Sequence, residues 1–218
     1  MASCPKRCRR DTIPPMLLGR RTPVTTFLLI AIGVCFAAQY LTGLEDGPLV
    51  QLGINYGPAV RQGQYWRLVT SMFLHGGLLH VALNAWGLYQ LGSLFELLLG
   101  SSRLLLVYFV TGIAGSLASD IFTRAPSLGA SGAIFGVMGA LIAFLLRRRG
   151  ALTPQGKSIL MQLVGWAVIN VFFGFSTPGI DNSAHLGGCA AGLLLGFFLP
   201  EHRAAIPAPE PRDYRGGL

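Results

Sequence analysis

A serine and a histidine lie in two separate apolar stretches of this 218-residue chain. Ser131 lies in Gly129-Ala130-Ser131-Gly132 and His185 in Ala184-His185-Leu186-Gly187-Gly188. A hydroxyl and an imidazole are the two groups that nucleophilic acyl transfer needs: one attacks a carbonyl, the other takes its proton. An ionisable residue inside a membrane span is costly, so it is a functional candidate by default. Two further polar residues, His80 and Asn84, are four apart and share one face of a helix. An imidazole N–H and an amide N–H are suitable donors to the oxyanion that such chemistry generates.

Elements must bring these groups together, and the composition says what kind. The chain is 52% hydrophobic and only 12% charged, against about 25% charged in soluble domains. With its long apolar runs, this is the composition of a polytopic membrane protein. The net charge is +8. Its basic residues cluster in particular loops without aromatic interleaving, which argues against nucleic-acid binding. The four cysteines, Cys4, Cys8, Cys35 and Cys189, have neither zinc-site spacing nor the look of a disulfide framework. They read as free thiols. Cys4 and Cys8 lie in a basic tail whose Lys6, Arg7 and Arg9 would favour thiolate, so a lipidated or reactive thiol is the other reading there.

Six stretches are expected to cross a bilayer: 23–43, 78–99, 104–122, 131–146, 158–176 and 184–199. The first comes after basic residues, as a secretory signal does. It lacks a convincing small-x-small cleavage site and five more spans come after it, so it reads as a retained helix. Six spans put both termini on one side. That side then carries fourteen of the seventeen Lys and Arg, leaving Arg61, Arg67 and Arg124 opposite. The positive-inside rule places both termini in the cytoplasm. Residues 1–22 read as a basic cytoplasmic tail, 23–200 as a six-helix domain, and 201–218, rich in Pro and charge, as a disordered tail. The one sizeable extramembrane piece is the segment at 44–77.

Depth along these spans groups the polar residues. Ser131, His185 and Asn84 each lie sixteen residues from the cytoplasmic end of their helix. At 1.5 Å per residue that is about 24 Å, in a hydrocarbon core about 30 Å thick. All three share a plane near the outer surface, and the loop before Ser131 must dip to reach it. His185, Gly188, Gly192 and Gly196 share a face of the sixth span; Gly132, Gly136 and Ala140 form a matching stripe on the fourth. Small residues four apart let membrane helices approach closely. The two helices can then pack backbone to backbone with Ser131 and His185 at the outer end, suiting a Ser–His hydrogen bond. No carboxylate is at that depth: Glu96 is twelve residues below Asn84 and Asp181 is outside. The expectation is a dyad, with Asn84, His80 and the Ser131 backbone N–H as oxyanion donors.

His75-Gly-Gly-Leu-Leu-His80-Val-Ala-Leu-Asn84, Gly129-Ala-Ser131-Gly132 and Ala184-His185-Leu-Gly187 together resemble the rhomboid intramembrane serine proteases. Tyr65-Trp66-Arg67 is similar to that family's Trp-Arg pair. The resemblance covers about 60–200 and implies a rhomboid-like all-α bundle of six transmembrane helices, the minimal bacterial form, in a bacterial plasma membrane. It implies a Ser131 nucleophile, a His185 general base, oxyanion contacts from His80, Asn84 and the Ser131 amide, and no cofactor or metal. His75 would be a supporting residue in the water-retaining region, with Gly129 beside the serine. Phe135 stands where members often carry a Tyr packed under the histidine.

Plainer readings exist for each residue. Ser131 alone could be a small residue at a helix contact, and His80 and Asn84 could be polar glue between helices. Trp66 and Arg67 read as structural anchors and Glu96 as a structural hydrogen-bonding residue. Three function classes remain. One is a protease cutting transmembrane or juxtamembrane segments of membrane proteins that carry helix-weakening residues near the cut. Another is a catalytically silent rhomboid-like binder, whose relatives usually lack the serine or histidine. The last is a haem, metal or transport protein, disfavoured because His75 and His80 are five apart and no helix offers two histidines facing another pair.

Overall fold

The computed structural model describes residues 21–200, and every regular element there is helical. The basic tail with Cys4 and Cys8, and the Pro-rich C-terminal tail, lie outside the described residues. Six long helices of 17 to 23 residues carry the fold: α1 (Pro23–Thr42), α5 (Leu78–Leu99), α6 (Ser101–Ala118), α7 (Ser131–Arg147), α8 (Pro154–Ser176) and α9 (Asn182–Phe198). The segment at 44–77 is more ordered than a loop. It folds into α2 (Pro48–Gly53), α3 (Gly57–Arg61), α4 (Arg67–Thr70) and two 3₁₀ turns. Pro48 and Pro58 lie at the first and second positions of α2 and α3, respectively, where a missing N–H costs nothing.

Helix ends explain where the boundaries depart from the hydropathy reading. α8 begins at Pro154 because Thr153 caps it, its hydroxyl accepting the Gly156 N–H at 3.2 Å. α9 begins at Asn182 because Asp181 caps it in the same way. α6 starts at Ser101 directly after Gly100, whose positive φ of 91° turns the chain between α5 and α6. α6 then runs on through a five-residue π turn, Ser119–Thr123.

Among the described residues, three helices are long and apolar enough to cross a membrane: Pro23–Thr42, Ser101–Thr123 and Pro154–Ser176. A fourth is gained if Arg67–Phe73 and Leu78–Leu99, bent by 96°, count as one span. α7 is a shorter apolar helix. α9 has seventeen residues, and its glycines and histidine dilute its apolarity.

α7 is the centre of the bundle, with every residue from Gly132 to Leu145 buried. α9 packs on it through Gly188, Gly192 and Gly196. A Cβ at these positions would collide with the carbonyl oxygens of Gly132, Gly136 and Ala140, respectively. The two backbones therefore touch with no side chain between them. At the opposite end, Glu96 of α5 fastens the start of α1. Its carboxylate accepts the N–H groups of Val24 (2.9 Å) and Thr25 (2.8 Å) and the hydroxyls of Thr25 (2.8 Å) and Ser101 (2.6 Å). A carboxylate at a helix N-terminus satisfies otherwise orphaned donors. Arg147 closes the far end of α9 by donating to the carbonyls of Phe197 and Leu199. α8 is different, burying only Leu163 and Gly174. It meets α5 through an edge-on pair, Trp86 and Trp166, with ring centres 5.9 Å apart.

Candidate active site

Ser131 is the first residue of α7, and the segment leading to it is tied to the α2–α4 region. Asn55 and Ser127 exchange backbone hydrogen bonds of 3.0 and 2.9 Å, and the Gly129 N–H donates to the Ser71 carbonyl at 2.9 Å. The Asn55 side chain, fully buried, donates to the Ser116 carbonyl at 3.0 Å. Gly129 adopts φ +124°, and a Cβ there would lie 2.8 Å from His80 Nε2 and 3.9 Å from Ser131 Oγ. Only glycine fits both that conformation and that space. The space it leaves is bordered by the serine hydroxyl on one side and the His80 ring on the other.

His185 is buried in the first turn of α9, 9% exposed. Its ring lies flat on Phe135, with centres 4.2 Å apart and planes 7° from parallel. Phe135 is one turn into α7 from Ser131, so the same helix carries the hydroxyl and the platform for the imidazole. The neighbouring residues bring the backbones together: Cβ atoms at Gly115 and Gly132 would lie 2.8 and 3.3 Å from the Ala184 carbonyl oxygen. The expected Ser131–His185 hydrogen bond is not closed in this structure, and the buried His185 Nδ1 has no partner. Such contacts are often long in substrate-free enzymes and tighten in the complex.

His80 and Asn84 share a face of α5. The His80 Nδ1 accepts the Gly76 N–H at 3.3 Å, which in the neutral ring leaves the proton on Nε2. That nitrogen is the one bordering the space over Gly129. The Asn84 amide donates to the His80 carbonyl at 3.0 Å, fixing its nitrogen rather than its oxygen on that side. One of its two N–H bonds remains for another acceptor. The Ser131 N–H belongs to the first helical turn, where backbone donors have no intrahelical partner.

His75 is fully buried, its ring edge-on to His80 at 5.1 Å, and both its ring nitrogens lack a partner. Its backbone is gripped by Gln39 of α1, which accepts the His75 N–H (3.0 Å) and donates to its carbonyl (3.2 Å). Trp66 and Arg67 do not reach the serine. Trp66 donates to the Leu52 carbonyl at 3.1 Å. Arg67, 7% exposed, donates to Gln64 and to the carbonyls of Gln51 and Ile54. They hold the segment that in turn holds Ser127 and Gly129.

A small cavity of about 20 Å³ opens beside the serine, lined by polar Ser71, Ser116, Ser127, Ser131 and Asp181 and by apolar Met72, Leu128 and Ala133. That is enough for a water with several polar partners. Sequence reasoning misses three of the residues that shape this region. Gln39 carries a usable signal, being a lone amide in an apolar span. Asn55 acts through a fold-dependent bridge and gives no local signal. Asp181 lies too shallow by depth alone, yet it forms part of the cavity wall. Among the described residues, no three His, Cys, Asp or Glu side chains gather where they could hold a metal ion.

Comparison with known proteins places this architecture. A family model described as the Rhomboid domain matches residues 62–202, and the chain belongs to the rhomboid family. It is 40% identical over 182 residues to "Rhomboid protease GluP" of Bacillus subtilis, covering 81% of this chain and 34% of that protein. It is 37% identical over 170 residues to "RHOMBOID-like protein 7" of Arabidopsis thaliana, covering 77% of this chain and 53% of the relative. "Putative rhomboid protease YdcA" of Bacillus subtilis is 31% identical over 180 residues, covering 82% of this chain and 89% of that protein. The chain thus spans about a third to a half of the length of the first two relatives. Family and apolar helices together make it an integral membrane protein.

Proposed function

We propose that this chain is an intramembrane serine endopeptidase working through a Ser131–His185 dyad. The observation that carries the reading is the glycine contact between α7 and α9, which brings the residue after Ser131 against the residue before His185. Ser131 Oγ attacks the scissile carbonyl as His185 takes its proton. The developing oxyanion is met by His80 Nε2–H, Asn84 N–H and the Ser131 N–H, each donor being worth about 100- to 1000-fold in rate. The protonated imidazole gives its proton to the leaving amine. A water activated by His185 then attacks the acyl-enzyme carbonyl and releases the acyl group. Phe135 holds the imidazole plane; His75 and Gly129 support His80 and the open space beside the serine.

In this reading the six long helices all cross the membrane, with both termini in the cytoplasm of a bacterial cell. The site then faces outward. Substrates are transmembrane or juxtamembrane segments of other membrane proteins. An extended backbone is needed for attack, so Gly, Pro or small residues near the cut favour cleavage. The test is cleavage of a tagged single-span substrate by purified protein in liposomes. Ser131→Ala and His185→Ala should each abolish it; unchanged cleavage in either sinks the dyad. Binding without cleavage by the unmutated protein would replace this reading with a membrane-protein binder.

A further inference from the structure

The imidazole of His185 has a platform but no hydrogen-bond anchor: Phe135 stacks beneath it, and Nδ1 is buried without a partner. Phe135 sets the plane of the ring, and the backbone of the first turn of α9 sets its height relative to Ser131. That turn is held by one side chain. Asp181 Oδ1 accepts the Ala184 N–H at 3.0 Å and the Thr123 hydroxyl at 2.9 Å, while the Asp181 carbonyl accepts the His185 N–H at 3.2 Å. Thr123 is the last residue of the π turn that ends α6, 58 residues away in sequence. A π turn inserts an extra residue and so re-aims the chain beyond it, and such turns recur at functional sites.

The clasp reaches the serine through two more contacts. The Ala184 carbonyl oxygen rests on the bare backbone of Gly115 in α6 and Gly132 in α7. Gly132 is the residue directly after Ser131, and Asp181 shares a cavity wall with Ser131. We infer that the Thr123–Asp181 clasp is a positioning device that sets the height of His185 over Ser131, acting through the Ala184 peptide. The inference rests on the proposed dyad. Asp181 is a positioning residue here: it accepts no proton and touches no reacting atom. What it supplies to the clasp is an acceptor oxygen, which the asparagine side chain also offers. Asparagine caps helices about as well as aspartate.

The test uses the full-length protein in liposomes with the tagged single-span substrate, reading kcat and KM separately alongside thermal unfolding. A displacement near 1 Å at reacting groups costs about 100-fold. Asp181→Ala should lower kcat by about 30- to 100-fold with KM within about twofold. Asp181→Asn keeps the acceptor and should stay within about threefold of the unmutated protein. Thr123→Val removes the hydroxyl but keeps the shape, and should cost about tenfold in kcat. The Thr123→Val/Asp181→Ala double variant should be no worse than Asp181→Ala, since both break one contact. Should Asp181→Ala fail to fold, the Asp181→Asn and Thr123→Val pair decides. Unmutated kcat in Thr123→Val, a loss of kcat in Asp181→Asn equal to that in Asp181→Ala, or losses that multiply in the double variant would overturn the clasp. The dyad fails separately, through cleavage by Ser131→Ala.

Discussion

The α7–α9 pair and α8 are built on opposite principles. Fourteen consecutive residues of α7 are buried, and α9 turns a face of glycines into it. α8 is longer, at 23 residues, yet buries only two of them. Its Met161, Val168, Phe172 and Phe175 point outward, where lipid is the natural solvent for them. The difference shows where rigidity is needed. The proposed nucleophile and base, on two helices, would have to keep a fixed separation, and backbone contact leaves few ways to alter it. A helix held by scattered side chains can shift without disturbing them.

Four substitutions probe that contrast, from the largest expected effect to the smallest. Gly192→Leu drives a side chain into the Gly136 carbonyl. No rotamer relieves a clash at Cβ, so it should cost about 3 kcal/mol or more and abolish cleavage, read by thermal unfolding and substrate turnover. A folded, active Gly192→Leu protein would break the comparison. Asn84→Ala tests a side chain rather than the packing. Cleavage should fall by about 100- to 1000-fold, with the unfolding midpoint little changed. Phe135→Tyr should keep activity within about threefold, because the flat stack on His185 is worth about 0.5–1.5 kcal/mol for either ring. A large gain would show that a phenol hydroxyl at this position does more than pack. Gly165→Leu on α8 should be nearly silent, within about 0.5 kcal/mol, since nothing lies within 4 Å of an added Cβ there. A strong loss would mean that α8 is as constrained as α9.

What can be read from the residues divides along the same line. Long apolar runs reveal where the six helices fall, and small residues four apart reveal which faces of α7 and α9 meet, because both signals are periodic and local. The His80–Asn84 spacing is equally legible. The 44–77 segment is not. Its short helices are organised by Arg67 donating to the carbonyls of Gln51 and Ile54, and by the Asn55–Ser127 exchange across more than seventy residues. Neither has a period to detect. Asp181 escapes for a related reason. Depth counted along one helix gives height but not lateral position, and the cavity wall is defined by what α6 and α7 place opposite it.

The bare contact between α7 and α9 also limits how the two helices can slip. Gly188, Gly192 and Gly196 take their places against Gly132, Gly136 and Ala140 like teeth in a rack. A small axial shift would move the α7 carbonyls off these glycines and against positions that carry a Cβ. The next matching register lies four residues, about 6 Å, away. In the proposed dyad, a slip of one register would carry Ser131 and His185 out of reach of each other, so thinning or thickening of the surrounding lipid should act by changing how often the pair is aligned.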